Sequence, residues 1–158
     1  MSLKIHRVAV LGAGVMGAQI AAHLAAAGVR THLLDLPSEA PHKDPKIAAA
    51  IGKNFRSTAA FLAIENLKKL KPSPLASESI LTNLIPGNFD DDMPVLADCD
   101  WIIEVVAERL EIKKSILKRV IVSFVEPIDF VVADQIIVNH FTFVAYSGCL
   151  HLLRRIQI

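Results

Sequence analysis

Near the start of the chain, Gly12-Ala13-Gly14-Val15-Met16-Gly17 has the G-x-G-x-x-G spacing of a phosphate cradle. In that pattern Gly12 permits a tight turn and Gly14 lets the backbone approach a pyrophosphate. Gly17 lets a helix pack closely on a strand. Val15 and Met16 would open that helix, whose first N–H groups and positive dipole end favour phosphate oxygens. Asp35 follows 18 residues after Gly17. A carboxylate there can accept hydrogen bonds from the two hydroxyls of an adenosine ribose, and it would repel a ribose phosphate. Neither Leu36 nor Pro37 supplies a cation to offset that repulsion, so NAD is the expected cofactor rather than NADP. A lone glycine turn would be weak evidence, since such turns also serve packing alone. The flanking elements and the carboxylate give it weight.

Those elements are legible in the hydrophobic pattern. Arg7 to Leu11 is a β-branched run ending at glycine, as a buried parallel strand would. Met16 to Ala27 has helical periodicity, with Ile20 and Leu24 one turn apart and Gly28 at the natural stop. Val29 to Leu34 reads as a second strand ending at Asp35, which makes a βαβ unit. Pro37 to Pro45 holds three prolines and reads as loop. Lys46 to Lys71 reads as one helical stretch with Lys68, Lys69 and Lys71 solvated at its end, stopped by Pro72 and Pro74. Ile80 to Ile85 is an expected short strand, and Gly87 to Asp92 a turn leading into an acidic helix start. Asp100 to Val106 is an expected core strand. Glu108 to Val120 follows as an amphipathic helix, with Leu110, Ile116, Leu117 and Val120 on its apolar side. The expected fold class is α/β, a Rossmann-type doubly wound, mainly parallel sheet in a single domain.

Composition sets the outer bounds. The chain has 158 residues, 53% of them apolar and 21% charged, enough for one domain with a real core. Lys and Arg number 17 against 16 Asp and Glu, a balance that argues against a nucleic-acid or membrane-surface partner. Cys99 and Cys149 stand in unrelated contexts, without the paired spacing of a metal site, so reduced thiols and a cytoplasmic location are expected. Val8 to Val29 is free of charge but broken by glycines, with Gln19 and His23 inside it, and fits a membrane helix poorly.

Four segments together carry a resemblance: VAVLGAGVMGAQIAAHLAAAG, the following DL, LIPGNFDDD, and DWIIEVVAERLEIKKSIL. They look like the NAD-binding domain of bacterial 3-hydroxyacyl-CoA dehydrogenase, of the type carried by multifunctional β-oxidation proteins. The resemblance covers roughly residues 5 to 120. It implies that Glu108 and Lys113 approach the nicotinamide ribose and that Val106 lends a backbone contact. It also implies an acyl-CoA substrate for the full-length family, oxidised from alcohol to ketone. Without the resemblance, Glu108 would read as a helix cap and Lys113 as a solvated helix residue. Glu104, mid-strand, is a weaker candidate for a second carboxylate on the cofactor side.

The family's chemistry uses a histidine in an H-F-F-N-P motif, oriented by a glutamate and preceded by an S-S-N-T-S segment. Here Ser123 is followed by FVEP, and His140-Phe141 matches only the first two letters of the histidine motif. The chain holds no glutamate beyond Glu126, so no catalytic residue is assigned and no metal ligand either. Residues 1–120 are expected to form the dinucleotide-binding domain and 121–158 a divergent tail completing or flanking the sheet, with Asp129 to Ala133 and Ile136 to Val138 as possible strands. Such a tail would follow from a reading-frame change in the source gene, and the family's helical substrate domain is absent from these residues. Three readings stay open at this point. They are the cofactor portion of a 3-hydroxyacyl-CoA dehydrogenase, the same portion of another NAD-dependent hydroxyacid dehydrogenase, and a non-catalytic NAD-binding module.

Overall fold

A computed structural model describes residues 5–75, 77–106, 110–124 and 144–146. The strands are β1 (Arg7–Leu11), β2 (Arg30–Asp35), β3 (Leu84–Asn88), β4 (Trp101–Glu104) and β5 (Val144–Tyr146). The helices are α1 (Val15–Ala26), α2 (Pro45–Ile51), α3 (Thr58–Leu67) and α4 (Leu110–Phe124). Single 3₁₀ segments occupy Gly52–Ser57, Glu78–Asn83 and Met93–Asp98. The sheet order is β3-β2-β1-β4-β5. Its first four strands run parallel, and the short β5 lies antiparallel on β4 through Trp101 opposite Tyr146. Strand order therefore reverses between β1 and β4, and in such sheets ligands bind outside the carboxyl ends at that point.

Two apolar layers sandwich the sheet. On one face Val8, Val10, Leu33, Leu84 and Ile103 meet α1 and α3, and on the other Ala9, Leu11, Leu34 and Ile102 meet Phe89, Leu96, Ile116 and Val120. The face that α1 buries is an alanine stripe, Ala18, Ala21, Ala22 and Ala25, while Ile20 and Leu24 pack at its flank. Small side chains let the helix axis lie close to the strands. At the amino end of the sheet, the Asp100 carboxylate accepts the His6 and Arg7 N–H groups at 2.8 and 3.0 Å. These bonds hold its pKa below the ordinary carboxylate range and fix the β1–β4 register.

Several expectations are corrected. The stretch from Lys46 to Lys71 is not one helix, because Gly52 at φ +60° ends α2 and a 3₁₀ segment intervenes before α3. Pro45 belongs to α2 rather than to the loop, at the first helical position behind the Asp44 cap, whose carboxylate accepts the Lys46 N–H at 2.8 Å. The third strand starts at Leu84, not Ile80, and runs through Pro86 and Gly87. An edge position in the sheet tolerates that proline. Leu110, expected on the apolar side of α4, is 53% exposed. The expected strands at Asp129 to Ala133 and Ile136 to Val138 lie outside the described residues, as does Cys149.

The turn after β3 is built around Asn88. Its buried amide donates to Ser57 Oγ at 3.1 Å, and its Oδ1 accepts the Asp90 and Asp91 N–H groups. Arg56 bridges Asp90 and Asp91 while Arg119 of α4 reaches Asp90 and the Phe89 carbonyl, tying both faces to one turn.

On β2, His32 is buried and its Nε2 has no hydrogen-bond partner. Burial and the nearby Arg30 and Arg7 push its pKa down from 6.5, with Asp92 opposing. The folded chain therefore keeps this imidazole neutral to lower pH than the unfolded chain does. Stability from this group is complete above the unfolded pKa and is lost as pH falls from there through the lower folded value. Urea unfolding between about pH 7.5 and 5.5 should show that decline, and His32→Gln should flatten it. An unchanged slope in the variant would assign the decline to other groups.

Candidate dinucleotide site

The crevice at the strand reversal is lined by three backbone segments in contact. Gly12 leaves β1 at φ +112°, and its N–H donates to the Leu34 carbonyl at 2.7 Å. A Cβ on Gly12 would stand 2.8 Å from the Val105 carbonyl oxygen and 3.1 Å from the Val106 nitrogen. On Gly17 it would stand 1.9 Å from the Gly12 carbonyl oxygen. Both glycines are thus demanded by backbone packing of the loop against α1 and the end of β4.

Gly14 is different. It occupies the N-cap of α1 in extended conformation, and a Cβ there would meet nothing within 4 Å. No side chain caps the helix and its first turn holds no acidic residue. The leading N–H groups of a helix lack intrahelical partners, so this end presents donors and a positive dipole to open space. Val15 and Met16, 80% and 68% exposed, flank the opening. A pyrophosphate fits this arrangement, since it needs both the donors and the room a side chain at Gly14 would fill.

Asp35 ends β2 beside the loop. Its Oδ2 accepts the Ala13 N–H and its Oδ1 accepts the Leu36 N–H at 2.6 Å. The residue is half-buried, and its carboxylate retains lone pairs for ribose hydroxyls. Its grip on Ala13 is not apparent from local sequence. The parallel register that sets Leu11 against Leu34 is the signal for it, because the next residues of each strand must then be neighbours.

Across the crevice, β4 closes on Glu104, whose side chain is 4% exposed. Its Oε1 accepts the Val106 N–H at 2.7 Å and its Oε2 lies 3.5 Å from Lys113 Nζ on α4. Val106 and Lys113 are therefore brought together on the β4 side of the crevice, with Gly12, Gly14, Val15, Met16, Gly17 and Asp35 on the β1–β2 side. Glu108 and His140 lie outside the described residues. An apolar recess lined by Ile20, His23, Leu24 and Trp101 lies towards the other end of α1 and shares no residue with the crevice. Among the described residues no His, Cys, Asp and Glu group is placed to hold a metal ion, and no helix is long and apolar enough to cross a membrane.

Known proteins share this stretch of sequence and this fold. The family model described as 3-hydroxyacyl-CoA dehydrogenase, NAD binding domain, matches residues 7–128. A Bacillus subtilis (strain 168) protein named "Probable 3-hydroxyacyl-CoA dehydrogenase" is 43% identical over 122 residues, covering 76% of this chain and 16% of that protein. The 3-hydroxyadipyl-CoA dehydrogenase of Escherichia coli K12 is 34% identical over 120 residues, 75% of this chain and 22% of its own length. The crystal structure of 3-hydroxybutyryl-CoA dehydrogenase from Escherichia coli K12 superposes with a TM-score of 0.53 at 29% identity, over 77% of this chain and 23% of that one. The chain thus spans less than a quarter of the length of each of these three relatives.

The glycines separate two kinds of failure. Gly17→Ala should cost roughly 3 kcal/mol in urea unfolding, because its clash is with backbone that cannot swing away. Gly14→Ala should cost under about 1 kcal/mol yet weaken NADH binding measured by titration calorimetry. Unchanged NADH affinity in Gly14→Ala would remove the pyrophosphate from that space.

Proposed function

The chain belongs to the 3-hydroxyacyl-CoA dehydrogenase NAD-binding domain family, and from that membership we propose how its own residues hold NAD at the β1/β4 crevice and what reaction they serve. The observation that carries the reading is the combination of an uncapped helix end open at Gly14 with the Asp35 carboxylate fixed beside it.

The N–H groups opening α1, at Val15, Met16 and Gly17, receive the pyrophosphate. Asp35 accepts the adenosine ribose hydroxyls, and its charge excludes a ribose phosphate at that position. On the other side, Val106 offers backbone and Lys113 a cation to the nicotinamide ribose, and Glu108 completes that end. The crevice floor of Gly12 and Val105 joins the two halves. NAD bound there supplies a hydride acceptor for the β-carbon of a 3-hydroxyacyl-CoA, whose oxidation gives the 3-oxoacyl-CoA of fatty-acid β-oxidation.

The substrate-facing chemistry needs a proton acceptor. These 158 residues contain no intact H-F-F-N-P motif and no glutamate after Glu126, so this stretch by itself is expected to bind cofactor without turnover. We infer a cytoplasmic setting, supported by a cysteine content of two, Cys99 and Cys149, without the paired spacing of a disulfide framework. We also propose that the dinucleotide-binding domain extends to Phe124, because α4 runs unbroken through residue 120.

Asp35→Ala should weaken NADH binding by roughly tenfold or more, as expected for hydrogen bonds to a charged acceptor, and should narrow the preference over NADPH. Calorimetric titration of both dinucleotides measures this. Wild-type affinity in the variant would defeat the assignment of Asp35. Following NADH absorbance with a 3-oxoacyl-CoA present tests the chemistry. Steady consumption by these 158 residues would show that the proton acceptor lies within them.

A further inference from the structure

Glu104 is a charged group in an apolar strand, and the cofactor contacts proposed above do not use it. Its side chain is 4% exposed at the end of the strand that carries Ile102 into the α4-side core. A carboxylate so placed is unfavourable unless each oxygen has a partner. Both do. Oε1 takes the Val106 N–H at 2.7 Å, two residues along the chain, and Oε2 faces Lys113 Nζ at 3.5 Å. The Val106 nitrogen it holds is the atom lying 3.1 Å from where a Gly12 Cβ would be. One buried side chain thus links the crevice floor, the end of β4 and a lysine on α4.

We propose that Glu104 is a positioning residue for the nicotinamide half of the site, fixing the Val106 peptide and holding the Lys113 ammonium in place before cofactor arrives. This rests on the reading of Lys113 as a cofactor contact. The physical ground is the lysine's flexibility. A four-carbon stem loses substantial rotamer entropy when ordered, and Glu104 imposes that order in the absence of ligand. Binding then meets a preset cation on one side, while Asp35 and the α1 N–H groups on the other side act independently of it.

That independence supplies the test. ADP carries the adenosine and pyrophosphate but lacks the nicotinamide riboside, so its affinity reports the β1–β2 side alone. Glu104→Gln keeps an oxygen for the Val106 N–H and removes the charge facing Lys113. Calorimetric titration should show NADH bound roughly tenfold more weakly by this variant, with ADP affinity unchanged. Lys113→Met should give the same selective loss, and the double variant no more than either single one. Glu104→Asp keeps the charge but withdraws it from Lys113 by one methylene. It should show the same selectivity, and it serves where Glu104→Gln does not fold. Equal weakening of NADH and ADP would make Glu104 a structural residue only and overturn the proposal, as would wild-type NADH affinity. Asp35→Ala, which should weaken both ligands, guards the underlying reading. If it moves neither, the cofactor site itself is misassigned and the role of Glu104 falls with it.

Discussion

Everything at the crevice depends on the absence of two Cβ atoms. The Gly12 carbonyl lies where a side chain on Gly17 would begin, and the Val105–Val106 peptide lies where one on Gly12 would begin. Loop, helix and strand end therefore meet backbone to backbone. Interiors are packed too densely to absorb an added atom between such groups without moving one of the elements. The Gly12 N–H bond to Leu34 and the Val105 N–H bond to Leu11 then fix the three pieces along the strand direction as well. These contacts all lie within the chain, so they hold the shape of the loop by themselves.

Around that contact the two sides of the crevice are held by different carboxylates in similar ways. Asp35 binds the loop at Ala13 and its own following residue at Leu36. Glu104 binds its own following strand end at Val106 and reaches α4 at Lys113. Each acid commits part of its hydrogen-bonding capacity to the main chain, which fixes where the rest of its charge is presented. The difference is burial, since Asp35 is half-buried beside the open crevice whereas Glu104 is closed off beneath a helix.

The glycine spacing, Asp35 and the first βαβ unit are legible in the sequence because each rests on a local rule. Gly12 needs a positive φ, Arg7 to Leu11 a buried strand, and Gly28 a helix stop. What the sequence conceals depends on tertiary context. Gly52 and Pro45 are compatible with either a helix end or a loop until the neighbouring packing is known, so α2 and α3 merge into one expected helix. Pro86 argues against a strand that its edge position in fact tolerates. The Ala13–Asp35 and Glu104–Lys113 pairs join residues that only strand register and the packing of α4 bring together. Glu104 reads in sequence as a candidate cofactor carboxylate, yet its burial turns it towards the protein. Glu108 and His140 lie outside the described residues and stand where the sequence leaves them.

The place of β3 at the margin of the described sheet has a bearing on how copies of this chain meet one another. Among the described residues β3 ends the sheet order, and an outermost strand offers unpaired backbone groups on which another strand can dock. Pro86 removes one donor from a five-residue strand, and Gly87 beside it contributes no side chain for a visiting strand to grip. Over so short a length an intruding strand would find a broken ladder rather than a template. The proline that stops the expected strand at Ile85 thus also makes this margin a poor template for another strand.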